Sequence, residues 1–215
     1  MNQHSFIRLL LVSATVGAAA CASTSAFAID ATVLGGLNMA SPSIDPSLTG
    51  STTSAKSEFM YGATVGLPFF PGLGLELGAF MAPRTSTTKD VLGNGNQTSA
   101  KFIEIPLMLR LNALPFISVG AGMYYGIGTG NVSTKSVSGS TVSSTPTEKN
   151  FSDSGLVSSD LGIATSVRAE FSILPLMSIV GDVRYNIGLK DLDQSPLTTT
   201  KNRELQLLLG VSAGF

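Results

Sequence analysis

The segment KFIEIPLMLRLN, residues 101–112, decides the fold. Successive side chains of a β-strand point to opposite faces, so alternate residues divide the segment into two sets. One face is purely aliphatic and the other carries charges and a proline: Ile103, Ile105, Leu107, Leu109 and Leu111 against Phe102, Glu104, Pro106, Met108, Arg110 and Asn112. A segment this short and charged does not cross a membrane as a helix. The pattern therefore predicts a strand with hydrocarbon on one side and a polar space on the other.

The same alternation recurs along the whole chain. Seven more segments show it, at residues 29–39, 59–67, 73–81, 116–127, 161–171, 177–189 and 205–215, which makes eight predicted strands. Three connections are short and contain proline, at 67–72, 112–116 and 172–176, and four are long and polar, near 41–58, 83–100, 129–158 and 190–202. Short turns at one end and long loops at the other are typical of outer-membrane β-barrels.

The direction of the apolar face distinguishes two kinds of barrel. A soluble ligand-binding barrel turns that face inward, whereas a membrane barrel turns it toward lipid. Here one face is almost purely aliphatic and the other collects the charges, which favours lipid outside. We therefore predict one all-β domain at residues 29–215, an eight-stranded antiparallel up-and-down transmembrane β-barrel of a Gram-negative-type outer membrane. A secreted soluble ligand-binding β-barrel is the remote alternative.

Residues 1–28 are predicted to be a cleavable signal peptide. They contain an early cation at Arg8, an apolar centre and the small-x-small sequence AFA at 26–28. These features follow the order found in secretory signals. Lipoprotein processing at Cys21 is the minor alternative, because the sequence AAAC only partly matches a lipobox.

Composition excludes several classes of function. The single histidine, His4, and the single cysteine, Cys21, both lie in the predicted signal peptide. A mature chain without them forms no disulfide, thiolate metal site or Ser-His-Asp triad. Of 13 Lys and Arg residues only Arg8 lies in the first 28, and 14 acidic residues balance the rest, so no basic field for nucleic acid exists. We predict a non-enzymatic protein with no cofactor.

Charged side chains on the polar face are predicted to pair with one another in the barrel lumen. Asp30 and Glu204 are expected nearer the rims, and the remaining inward charges are Glu76, Glu104, Arg110, Arg168, Glu170, Asp182 and Arg184. Unpaired charges in a narrow interior are costly, so we expect Glu76 to pair with Arg110 and the last four residues to form a cluster. An eight-stranded lumen is just wide enough for side chains to fill, which predicts a plugged barrel. A narrow channel with porin-like passive transport is the alternative.

Aromatic residues on the apolar face are predicted to form two girdles. If the first strand runs upward from the periplasm, Phe59, Tyr61, Tyr125 and Tyr185 fall near the outer rim, and Phe171 and Phe215 near the inner rim. Membrane barrels place aromatic residues at both interfaces. On the inward face, Phe80, Phe102, Met108 and Tyr124 are expected to lean over the many glycines, and Pro106 predicts a local bulge or an interior water, because it lacks an N–H donor.

Two segments carry a family resemblance. IEIPLMLRL at 103–111 and the terminal LLLGVSAGF at 207–215, together with the strand and loop layout, resemble the small eight-stranded outer-membrane β-barrels of the OmpX and PorT-like type. The resemblance implies an outer-membrane location among lipid and lipopolysaccharide, and it brings no catalytic residues. A last strand ending in Phe215 is similar to the signal read by the barrel-assembly machinery. We expect a structural or surface-interaction role, with the polar loop at 129–157 as the candidate to bind a surface ligand.

Overall fold

The computed structural model describes residues 29–45, 52–142, 145–192 and 199–215. The predicted signal peptide at 1–28 lies outside the described residues. Within the described part of the chain, no helix is long and apolar enough to span a membrane. The described residues form twelve β-strands and one helix of four residues.

Eight of the strands are long and four are short. In chain order the elements are β1 Asp30–Ala40, β2 Ser43–Asp45, β3 Thr52–Phe70, β4 Leu73–Lys89, β5 Asn94–Leu114, β6 Ile117–Ser138, β7 Thr141–Val142, β8 Thr147–Asn150, α1 Phe151–Ser154, β9 Ser159–Leu174, β10 Met177–Gly188, β11 Thr199–Lys201 and β12 Arg203–Gly214. The long strands have 11 to 22 residues. A tilted strand needs about 9–11 residues to cross the hydrocarbon, so several of them continue beyond it.

Backbone hydrogen bonds close the long strands into a ring. The order around the ring is β1, β3, β4, β5, β6, β9, β10, β12, and every pairing is antiparallel. The last strand, β12, pairs with β1, with Gly214 opposite Asp30. A closed ring has no exposed edge, which is the condition for a sheet to span a membrane. The predicted eight-stranded antiparallel up-and-down barrel is confirmed.

Three two-residue turns join strands at one end of the barrel, the turn end. They are Pro71 and Gly72, Pro115 and Phe116, and Pro175 and Leu176. Proline fixes the backbone angle that a tight turn needs, and Gly72 adopts the left-handed conformation, with φ of +79°. The last strand ends at the same level, since the amide of Gly214 donates to the carbonyl of Leu176 at 3.0 Å.

The opposite end of the barrel, the hairpin end, contains more strand than the sequence predicts. Residues 83–100 are predicted as a loop, but β4 continues to Lys89 and β5 begins at Asn94. The carboxylate of Asp90 closes this hairpin by accepting the amides of Leu92 and Asn94, both at 2.9 Å. The change to a sequence rich in serine and threonine therefore marks where these strands leave lipid. It does not mark where the strands end.

The predicted loop at 129–157 is also largely ordered into secondary structure. Strand β6 runs to Ser138, and β7, β8 and α1 follow. Phe151 of α1 is buried against Phe102, with ring centroids 5.6 Å apart, and against Gly128, which has no room for a Cβ atom. This segment is held to the barrel mouth by an aromatic contact that its polar composition does not indicate.

The two faces of the barrel wall have opposite character. The outward face exposes large apolar side chains on every long strand, among them Val33, Phe59, Leu77, Leu109, Val119, Val167, Ile179 and Leu209. The inward face is buried, and about half of its buried residues are polar or charged, among them Thr32, Asn38, Thr64, Glu104, Asn186 and Gln206. In water the reverse arrangement would be more stable, with polar side chains outward and apolar side chains inward. The outward face of this wall therefore fits a lipid environment.

Inward aromatic rings fill the space beside the glycines. Phe80 lies over Gly62 and Tyr124 lies over Gly162, so that neither glycine has room for a side chain. Pro106 is accommodated without a bulge, so the predicted bulge is wrong, and the alternative of an interior water stays a prediction. Strands β4 and β5 keep one register above and below the proline, with residues 78–79 of β4 left unpaired and the ladder to β6 unbroken.

Candidate functional site

Five charged side chains meet in the half of the lumen nearest the turn end. This lower cluster consists of Glu76, Arg110, Arg168, Asp182 and Arg184, contributed by β4, β5, β9 and β10. Each lies on the inward face, between four and eight residues along its strand from the nearest two-residue turn. The turns fix how the strands are aligned along the barrel axis. Because alternate residues of a strand face inward, these five side chains then point toward one another in the lumen.

Both carboxylates of the lower cluster bind more than one arginine. Glu76 accepts from Arg110 Nε at 3.0 Å and from Arg184 Nη2 at 2.8 Å. Arg168 Nη2 lies 2.7 Å from Glu76 Oε2 and 2.9 Å from Asp182 Oδ2. Arg184 Nη2 also donates to Asp182 Oδ2 at 2.9 Å. Every charge in this cluster therefore has at least one opposite charge in contact.

Glu170 lies outside the lower cluster, and its predicted place there is wrong. It is exposed and forms no ion pair with a described residue. It has the inward parity of Arg168 but lies two residues nearer the turn end of β9, where the lumen opens to solvent. A carboxylate in water needs no partner, so the alternation predicts its face correctly but not its environment.

A second group of charges lies toward the hairpin end. This upper cluster consists of Arg84, Glu104, Asp160 and Glu204, all buried, with Arg84 at its centre. Arg84 Nη1 donates to Asp160 Oδ2 at 2.8 Å, its Nε contacts the Glu204 carboxylate, and its Nη2 lies 3.6 Å from Glu104 Oε2. One arginine therefore contacts three carboxylates.

Neutral side chains supply the remaining donors of the upper cluster. Gln206 Nε2 donates to Glu104 Oε1 at 3.1 Å and to Glu204 Oε2 at 3.0 Å, and so bridges two carboxylates. Asn186 donates to Glu104 at 2.8 Å, and Asn202 donates to Glu204 at 2.7 Å. The Tyr124 hydroxyl donates to Asp160 at 2.9 Å. Amides and a phenol take the places that arginines hold in the lower cluster.

Some contacts join strands that stand on opposite sides of the ring. Glu76 of β4 and Arg184 of β10 are four strands apart in either direction, yet they are 2.8 Å apart. Glu104 of β5 and Gln206 of β12 are related in the same way, at 3.1 Å. Both clusters thus reach from wall to wall across the lumen.

Arg84 and Asp160 are missing from the predicted charge set. Both lie just beyond the predicted ends of their strands, at Met81 and Leu161. Arg84 continues the inward parity of Glu76, and Asp160 continues that of Arg168. Extending each alternation by a few residues into the polar flank would have identified both.

The buried network contains oxygen atoms without a hydrogen-bond partner among the described residues. They include Asp160 Oδ1, Asn186 Oδ1 and Gln206 Oε1 in the upper cluster and Asp182 Oδ1 in the lower cluster. Among the described residues, no group of His, Cys, Asp and Glu side chains is arranged to hold a metal ion. The arrangement is a set of ion pairs and amide bridges.

A pocket adjoins each cluster. The one at the turn end has a volume of about 90 Å³ and is lined in part by Asp30, Glu76 and Arg110. The one at the hairpin end has a volume of about 200 Å³ and is lined in part by Arg84 and Phe102. The clusters therefore form the inner walls of two recesses that enter the lumen from its opposite ends.

Comparison with known proteins assigns the family. Residues 22–194 match the model of the outer membrane protein beta-barrel domain, which covers most of the chain. The chain belongs to this family. No curated protein sequence matches it significantly.

Solved structures agree with this fold. OprG from Pseudomonas aeruginosa has a TM-score of 0.53 and 16% identity, over 88% of this chain and 97% of OprG. The outer membrane protease OmpT from Escherichia coli has a TM-score of 0.52 and 10% identity, over 90% of this chain and 99% of OmpT. Ail of Yersinia pestis, solved with the heparin analogue sucrose octasulfate, has a TM-score of 0.44 and 13% identity, over 87% and 99%. At these identities the similarity to OprG and OmpT concerns the fold alone.

The protein is an integral β-barrel of the bacterial outer membrane, surrounded by lipid and lipopolysaccharide. In barrels of this class the short turns face the periplasm and the long connections face the exterior. The turn end is therefore periplasmic, and the hairpin end is extracellular.

The aromatic residues of the predicted girdles all lie on the outside of the wall. Phe59, Tyr61, Tyr125, Tyr185, Phe171 and Phe215 are exposed. Phe59 stacks on Tyr61 with centroids 6.3 Å apart, and Phe171 stacks on Phe116 at 6.0 Å. Their position at the two membrane interfaces stays a prediction.

Proposed function

We propose that this barrel is a non-enzymatic outer-membrane protein whose lumen is plugged by the lower and upper clusters, and that it acts structurally or through its extracellular surface. The wall-to-wall contacts support this proposal most directly. A solute that passes must separate Arg184 from Glu76 and Gln206 from Glu104, which are in contact across the lumen.

Energetics also favour a closed lumen. Leaving a buried charge without its partner costs about 3–5 kcal/mol, because the charge has lost both water and its counter-charge. An open path displaces several such pairs at once. A conducting state is therefore rare, unless water replaces the lost partner of each separated charge along the whole path.

Single-channel recording tests the plug. Full-length wild-type protein refolded into planar bilayers is expected to give no steady conductance steps. The double variant Arg184→Ala, Gln206→Ala removes both wall-to-wall contacts and is expected to conduct. The matched control is Val183→Ala, Leu207→Ala, at the neighbouring outward positions, and should stay silent. Reproducible steps in the wild type would contradict the plug.

A narrow channel is the second candidate. Two observations favour it: the recesses that enter from both ends, and the buried oxygens without partners, which are suited to contact water. The two clusters together hold five carboxylates and four arginines, and this small acidic excess would then favour cations. Steady wild-type steps with a reversal potential near the cation value, in a salt gradient, would establish this alternative.

The absence of catalysis is part of the proposal. Residues 29–215 contain no histidine, and the buried carboxylates are bonded to arginines or amides. The similarity to the protease OmpT is at 10% identity and concerns the barrel. A purified protein that hydrolyses a peptide library or outer-membrane lipids above the level of the Arg184→Ala, Gln206→Ala variant would overturn it.

The segment at 129–157 is the proposed interaction surface. Phe151 fixes the base of the segment to the barrel, while all four residues of β8, Thr147–Asn150, are exposed. Deleting the tip of this segment should leave the barrel inserted, as judged by heat-modifiable gel mobility, and should abolish surface attachment of expressing cells. Unchanged attachment would move the role to another hairpin.

Export and assembly complete the proposal. We assign residues 1–28 to export and Phe215 to recognition by the barrel-assembly machinery. Phe215 is exposed, and its amide donates to the carbonyl of Ile29 at 2.9 Å. Phe215→Ala should lower the amount of assembled barrel in cells, with Leu209→Ala as the exposed apolar control. Equal assembly of the two variants would argue against this role.

A further inference from the structure

Positive side chains are divided sharply between the lumen and the extracellular side. Four arginines are in the lumen, Arg84, Arg110, Arg168 and Arg184. Every other described Lys or Arg residue lies toward the hairpin end: Lys56, Lys89, Lys101, Lys135, Lys149, Lys190, Lys201 and Arg203. The periplasmic rim instead exposes apolar residues such as Leu67, Phe70, Leu174, Leu176 and Phe215, with Glu170 as an exposed charge. Outside the lumen, the described cations therefore lie on one side of the membrane only, together with acidic residues of the hairpins such as Asp90, Glu148 and Asp153.

Among these cations, Lys201 and Arg203 lie closest together in the sequence, and both point outward. Both are exposed, while Asn202 and Glu204 between and below them point into the lumen and are buried. Lys201 ends β11 and Arg203 begins β12, with Asn202 between them. Two residues of extended chain span at most about 7 Å, so both cations can contact one anionic group. Lys101 has no such companion on β5, because the outward neighbours at 99 and 103 are Ser and Ile.

An apolar surface lies directly below this pair. Arg203 is opposite Ile187, and Leu205 is opposite Tyr185, on the adjacent strands β12 and β10. Leu205, Tyr185 and Ile187 are 37%, 41% and 41% exposed on the lipid side. The five residues form one outward patch, the rim patch, which is cationic at its top and apolar beneath.

The length of β12 places the top of the rim patch at the membrane boundary. Arg203 begins this strand of 12 residues, which ends with Gly214 at the periplasmic turns. Crossing the hydrocarbon takes about 9–11 residues, so Arg203 emerges where the outer-leaflet headgroups lie. The phosphates of lipopolysaccharide occupy that level in this membrane.

We propose that the rim patch binds lipopolysaccharide, with Lys201 and Arg203 on a lipid A phosphate and with acyl chains against Leu205, Tyr185 and Ile187. Guanidinium offers paired donors that match a phosphate, and a neighbouring ammonium adds charge. The absence of cations from the described periplasmic rim fits this assignment, because lipopolysaccharide is confined to the outer leaflet. The site is independent of the plugged lumen.

Binding of fluorescent lipopolysaccharide to full-length protein in zwitterionic micelles tests the site. Each boundary cation contributes about 5-fold in affinity, so Lys201→Gln, Arg203→Gln should weaken binding about 25-fold. Arg203→Lys keeps the charge and should lose about 5-fold or less. The matched control is Lys135→Gln, Lys149→Gln, on the hairpins above the membrane, and should bind like the wild type.

A comparison of three lipids identifies the chemical group that the rim patch recognises. Dephosphorylated lipopolysaccharide should bind the wild type about as weakly as lipopolysaccharide binds the double variant, and phosphatidylglycerol should bind more weakly than lipopolysaccharide. The proposal is overturned if the control pair loses as much affinity as Lys201→Gln, Arg203→Gln, or if the wild type does not distinguish the three lipids. Bilayer conductance of these variants should match the wild type, which separates this site from the plug.

Discussion

The lower cluster has three arginines for two carboxylates, whereas the upper cluster has one arginine for three. In the lower cluster Glu76 and Asp182 each contact three arginines, so the loss of one cation leaves others in place. In the upper cluster every ion pair depends on Arg84. Two buried networks of similar size therefore differ in redundancy, and substitutions should reveal that difference.

Arg84→Met should have the largest effect. It leaves Glu104, Asp160 and Glu204 buried with only neutral donors, and an unpaired buried charge costs about 3–5 kcal/mol. We expect at least that loss in the free energy of unfolding, measured by urea titration in lipid vesicles. A free energy of unfolding equal to that of the wild type would show that the upper cluster does not depend on one cation.

Asp182→Asn should come next. Asp182 accepts from Arg168 and Arg184 and lies 3.6 Å from Arg110, so its loss leaves three arginines facing Glu76 alone. An isosteric amide keeps an acceptor oxygen, and we expect a loss of about 2–4 kcal/mol in the same titration. Asn186→Asp is the reverse control on the same strand, and it should destabilise the already acidic upper cluster. A smaller effect of Asp182→Asn than of Arg110→Met would contradict the assigned order.

Arg110→Met tests redundancy within the lower cluster. Glu76 retains contacts with Arg168 and Arg184, at 2.7 Å and 2.8 Å, so its charge stays compensated. We expect a loss of about 1–2 kcal/mol, mostly from the hydrogen bonds to Ser118 and Ser166. A loss equal to that of Arg84→Met would remove the distinction between the clusters.

The same contrast shows which parts of the molecule follow from the sequence. Alternation and turn spacing predict the eight strands, the lipid face and the inward direction of residues such as Glu76 and Asp182. They fail at Glu170, because parity says nothing about depth, and at Arg84 and Asp160, because a polar flank does not mark the end of a strand. The contact between Glu104 and Gln206 depends on strand tilt and stagger around the closed ring, which a local pattern does not contain.

Glu204→Gln should have the smallest effect, and its sign discriminates best between the two clusters. The substitution keeps the shape and an acceptor for Asn202, and it removes one of two excess negative charges around Arg84. We expect a change within about 1 kcal/mol, neutral or stabilising, since relieving like charges in a buried site offsets the weakened pair with Arg84. Glu76→Gln is the matched change in the lower cluster, where the excess is positive, and it should destabilise. If both glutamates prove equally sensitive, the charge balance of a cluster does not control its stability, and the number of contacts to each carboxylate does.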